Sequence, residues 1–177
     1  MRNFHPSDRF QEPIQILDGP LSRGVVRALS ETKQPNFEFS AEKTILRTRR
    51  DSLIQTGHIV ERVHSGLKYL VCDHTLERDY AVKRLLLVDR KVVWKRSTST
   101  LHPLTGKPIS STQPTQIGEM WVLWDMIRRE APDFVMHLAE EKNLVVTGAD
   151  VQLNDWLDDQ QVKRVNKALG VNIVQVQ

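Results

Sequence analysis

Between residues 59 and 96 apolar and polar side chains alternate with a period of two, the repeat of a half-buried β-strand. Val60, Val63, Leu67, Tyr69 and Val71 mark a first pair of runs, and Ser65-Gly66 between them is a turn signal. Residues 80–88 and 91–96 give a second pair, joined tightly at Asp89-Arg90. The run from residue 80 becomes apolar on both faces toward its end, as expected of a strand covered on two sides. Four successive strands arranged as hairpins are expected here. Residues 44–50 (TILRTRR) predict another, with Arg47 and Arg49 on one face by the same period.

The pattern is less decisive elsewhere. Ile117, Met120, Trp121, Trp124 and Ile127 fit a helical stripe, while MWVLWDMI has strand composition. The shortness of the run and its strand neighbours favour a strand. Residues 134–139 and 144–147, split by a polar turn, read as a hairpin, and VNIVQVQ at 171–177 as a last strand. Val162-Lys-Arg164-Val165 followed by Leu169, Val171 and Ile173 repeats the spacing of Val60-Glu-Arg62-Val63 followed by Leu67, Tyr69 and Val71. Asp155-Trp-Leu157 echoes Asp51-Ser-Leu53 upstream, so one strand–turn–strand unit is read as used twice. Residues 97–116 form a polar Ser/Thr/Pro-rich loop, either a binding loop or a small hairpin turning at Leu104-Thr-Gly-Lys.

Residues 1–42 carry four prolines (Pro6, Pro13, Pro20, Pro35) among scattered apolar positions. They read as an extended arm that needs a neighbour to order it. Leu21, Val25 and Leu29, at i, i+4 and i+8, predict a short helix over 21–30 within it. The expected fold class is mainly β: a small antiparallel barrel or sandwich built from hairpins over residues 43–177, with this arm and the long polar loop.

Composition narrows the class further. At 177 residues with 40% hydrophobic content, the chain supports a modest core and is not wholly disordered. No apolar run reaches the roughly 18–20 residues of a membrane span, and the first residues lack a signal-peptide stretch. A single cysteine, Cys72, fits a reducing compartment, so a soluble intracellular protein is expected. Net charge is only +3, yet residues 1–118 hold 19 basic and 12 acidic groups while residues 119–159 hold 3 and 10. The densest basic run, residues 83–96, has six cations and one acid.

Chemical signatures are sparse. Cys72 and His74 offer two metal ligands where a zinc site needs about four, and Gly106-Lys107 lacks the spacing of a phosphate loop. Asp155, Asp158 and Asp159 could bind Mg²⁺ or do acid–base work, but Asp is favoured in turns for its backbone hydrogen bonds. No enzyme activity and no cofactor are expected. Trp94, Trp121 and Trp124 suit either base stacking or a core.

A proline-punctuated arm, a barrel of hairpins and a long polar loop together resemble the neck proteins of tailed bacteriophages, the head-completion and head-closure (adaptor and stopper) connectors. The resemblance rests on GHIVERVHSGLKYLVCD (57–73) and VQLNDWLDDQQVKRVNKALGVNIVQVQ (151–177). Neither is a specific motif, so no residue role is carried over. The resemblance implies a structural virion subunit assembled in the host cytoplasm into a ring between portal and tail, passing DNA and touching no membrane. On that expectation Lys83, Arg84, Arg90, Lys91, Lys95 and Arg96 are candidates to face packaged DNA without reading its sequence. Phe4, Phe10, Ile14, Ile16, Leu17, Arg47, Arg49, Arg50, Leu101 and Leu104 are candidates for contacts with the portal or a neighbouring subunit. The alternative is an oligonucleotide-binding barrel gripping single strands with Arg47, Arg49, Arg50 and Trp94. A small enzyme built on the Asp155–Asp159 cluster is the remaining rival.

Overall fold

The computed structural model describes residues 10–28, 44–77, 79–97, 99–101, 104–105, 108–110, 113–126 and 143–177. The chain is mainly β, and its strands are antiparallel. Six strands, β1 (Glu12–Ile16), β2 (Leu21–Ala28), β3 (Thr44–Arg49), β4 (Ile59–Arg62), β5 (Lys68–Leu76) and β6 (Tyr80–Leu87), close a barrel in the order β1-β2-β3-β6-β5-β4. A second barrel follows, from β7 (Arg90–Arg96), β10 (Thr115–Met126), β11 (Asn143–Thr147), β12 (Trp156–Leu157), β13 (Gln160–Ala168) and β14 (Val171–Val176). Numbered from its own first strand, each barrel runs 1-2-3-6-5-4 around its circumference, so one topology is used twice. The remaining strands, β8 (Ser99–Leu101) and β9 (Pro108–Ser110), pair as a separate hairpin.

Period-two alternation sorts side chains into three cores. On β5, Tyr69 and Val71 point into the first barrel with Ile14, Leu46 and Leu85, while Leu70 and Cys72 point out of it. In the second barrel Val92, Val122, Val145 and Val174 fill the interior, while Leu123, Val146 and Ile173 point out. The two outward sets meet, with Leu86 and Val88, in a third core between the barrels. Burying each leucine there contributes about 1.5–3 kcal/mol.

Each barrel is closed at one end by the loop after its third strand. Ile54 drops into the first interior and Val151 into the second. Inside the first barrel the buried amine of Lys83 donates to the Ile54 carbonyl, and in the second Asn172 Nδ2 donates to the Ala149 carbonyl at 2.7 Å. The other end of the first barrel is stoppered by the Glu12–Arg62 ion pair at 3.0 Å. The two end loops touch where Gly57 meets Gly148, so closely that a Cβ on Gly148 would lie 2.1 Å from the Gly57 carbonyl oxygen.

Several expectations are corrected. Residues 21–28 are strand, not helix, because positions four apart also satisfy a period of two. Residues 12–28 belong to the barrel, not to an arm: Ile14 and Ile16 are core, and the prolines fall in a strand and before one. Residues 1–9 and 29–43 lie outside the described residues. The expected single domain over 43–177 is the larger part of two barrels. β6 and β7 do not pair, so Asp89 is the crossing between barrels and not a hairpin turn. Residues 134–139 lie outside the described residues, and β11 pairs with β10 and β14. The repeat read from spacing matches β13 to β4 and β14 to β5, one strand out of step with the topology.

Candidate interaction surfaces

The hairpin β8–β9 stands where the first barrel needs almost nothing. The first barrel joins its first two strands through residues 17–20, whereas the second uses residues 97–114 for the same connection. The hairpin has its own register, Ser99↔Ser110 through Leu101↔Pro108, and Leu104 near its tip is 90% exposed. This is the small hairpin that the polar loop suggested. Phe10 is also well exposed, whereas Leu17 lines a cleft of about 480 Å³ between the barrels with His58, Lys91, Glu119 and Trp121. Phe4 lies outside the described residues, as does the side chain of Leu101.

The basic run at 83–96 does not form one surface. Lys83 is buried inside the first barrel, where burial pulls its amine below the usual lysine range. Arg84 lies 3.9 Å from Asp73 and Lys95 3.9 Å from Asp159, while Lys91 pairs with Glu119. Arg90 covers the Trp124 ring at 4.6 Å. Arg96 is committed to Asp155. The six cations point in different directions because the run contains the last strand of one barrel and the first of the next. For Lys83, buried inside the barrel, a channel-facing role is corrected to an internal one, while Arg96 pairs with Asp155 and stays partly exposed.

Asp155 is a buried carboxylate with four hydrogen-bond donors among the described residues. It is 1% exposed and accepts from Arg96 Nε and Nη2 at 2.8 Å, Trp94 Nε1 at 2.9 Å and the Gln152 amide at 2.9 Å. Burial pushes its carboxyl up, but the bonds from Arg96, Gln152 and Trp94, with the charge of Arg96, hold it below the usual carboxylate range. Asp158 bonds the Val93 amide at 2.8 Å, and Asp159 is the cluster's exposed member. The cluster therefore ties the 150–158 loop to β7. Trp94 packs on the second core with Arg96 over its ring at 5.2 Å, an arrangement that offers no open stacking face. Cys72 sits in the core between the barrels, where burial, then Asp73, pushes its thiol up to about 12.

A second basic surface was not evident in the sequence. Val26, Leu46 and Lys83 pair across β2, β3 and β6 and face inward, so the alternate positions of these strands face out. Those positions carry Arg23, Arg27, Arg47, Arg49 and Arg84, and no acid. Arg47 covers Tyr80 at 4.5 Å and pairs with Glu77, and its Nε has no partner among the described residues. Arg50, in the turn after β3, donates to the Glu77 carbonyl at 2.9 Å. Reading 21–30 as a helix separated Arg23 and Arg27 from the arginines of β3. Strand alternation from Leu21 was the signal that would have joined them.

Among the described residues there is no group of three or more His, Cys, Asp or Glu able to hold a metal ion, and no helix long and apolar enough to cross a membrane. No family model, no curated protein and no solved structure matches the chain.

Proposed function

We propose that the chain is a structural, non-enzymatic subunit of a tailed-phage neck, forming a ring that joins portal to tail and closes the head. The observation that carries this reading is the hairpin β8–β9. It is an extension that the first barrel closes without, and it holds a leucine in solvent. A body of two barrels sharing a core, with a projecting hairpin that carries an exposed leucine, suits a part that sits between other parts. The segments 57–73 and 151–177, on which the resemblance rests, form β4–β5 and β12–β13–β14, corresponding regions of the two barrels.

Native mass spectrometry and electron microscopy of the purified chain, alone and with portal protein, test the reading. A closed ring, or a stoichiometric complex with the portal, is expected. A monomer indifferent to portal protein at micromolar concentration would overturn it.

A further inference from the structure

We propose that the exterior of β2, β3 and β6 is a docking face for the phosphate backbone of duplex DNA. The neck reading supplies only the setting in which DNA would be met, and the face is argued from its own geometry. Arg23 and Arg27 on β2, Arg47 and Arg49 on β3, and Arg84 on β6 share one side of a continuous three-strand surface. Outward positions repeat every ~6.7 Å along a strand and adjacent strands lie ~4.8 Å apart, so five guanidiniums cover a patch of about 13 by 10 Å.

Three features favour phosphates. Every cation these strands turn outward is an arginine, whose planar fork binds phosphate oxygens in pairs. No carboxylate occupies an outward position of the three strands, and two acids that pair here, Glu77 with Arg47 and Asp73 with Arg84, come from β5 and the residue after it. Arg23 and Arg27 are exposed, with no ion-pair partner among the described residues. Tyr80, the aromatic residue of this surface, lies under Arg47 and so does not offer an open stacking platform. A rigid duplex presents its phosphates ready spaced, without the ordering cost that a disordered acidic peptide would incur. Contacts of this kind are independent of base sequence.

The test is fluorescence anisotropy of the full chain with a labelled random-sequence 20-base-pair duplex between 50 and 200 mM KCl. Arg23 and Arg27 alone predict a log–log slope of about −1.8 and a loss of roughly tenfold across that range, and engagement of the already paired Arg47 and Arg84 would steepen it. The double variant Arg23→Gln/Arg27→Gln should flatten the log–log salt slope by about 1.8. Arg23→Lys/Arg27→Lys should keep the slope and bind more weakly. Both sites are exposed on closed strands, and unchanged thermal melts establish that the variants fold. No binding at 50 mM, an unaltered slope in the glutamine variant, or equal displacement by polyglutamate of matched charge would each overturn the proposal. A ring that ignores DNA would sink this inference alone, and a monomer that binds DNA would sink the neck reading alone.

Discussion

Asp155 is a charge withdrawn from water, and four donors make that position tolerable. Asp155→Asn should destabilise the chain by about 3 kcal/mol in urea denaturation. That is the low end for a broken buried pair, because the Arg96 side chain remains 31% exposed and water can compensate it. The sign with pH follows from the depressed carboxyl. Its contribution is fully present above the ordinary Asp value and is lost as pH falls through the lower, folded-state value. Stability of the wild type should therefore fall with acid below about pH 4, and the Asn variant should lack that part of the slope. Lys83 has the opposite character. It is a buried amine that donates to one backbone carbonyl among the described residues, and it is held inside the barrel because that carbonyl belongs to the loop that closes it. Lys83→Met should cost about 1–3 kcal/mol by leaving the Ile54 carbonyl unpaired.

Among the elements, the hairpin β8–β9 is separable from the barrel that carries it. Replacing residues 97–114 by the four-residue connection of residues 17–20 should leave the circular dichroism spectrum intact and shift stability by only about 1.3 kcal/mol, since shortening a surface loop changes closure entropy little. The same replacement should abolish ring or portal association in native mass spectrometry. A retained complex would remove the hairpin from the proposed interface. The strands were the legible part of the sequence wherever one face was apolar and the other polar, as in β4 and β5 with the Gly66 turn at φ 69°. They were misread where period two and period four coincide, at Leu21 and Val25. Topology was less legible still. Nothing in the composition of β6, Asp89 and β7 distinguishes a hairpin turn from a passage between barrels, because both need two adjacent strands and a short link. The charge run at 83–96 failed as a site for the same reason, since its two halves belong to different barrels. The arginine face became visible only once β2 was placed beside β3.

The whole molecule is two repeats whose outer faces share a core, so it should behave as one cooperative unit. Leu70 belongs to the first barrel and packs against the second. Leu70→Ala should cost about 2–5 kcal/mol and lower the unfolding midpoint reported by Trp94, Trp121, Trp124 and Trp156, which all lie in the second barrel. Separate transitions in calorimetry, or an unmoved tryptophan signal, would show that the barrels unfold independently. Cys72 gives a second readout, because its raised thiol should react with disulfide reagents only on global unfolding. Among the described strands the backbone passes from one barrel to the other once, at residues 88–89. A nick there would sever no strand pairing, yet each half would bare an apolar flank that only the other half fits. Fragments 1–88 and 89–177 produced together should therefore be recovered as a noncovalent heterodimer through a tag on either one, while each produced alone should precipitate.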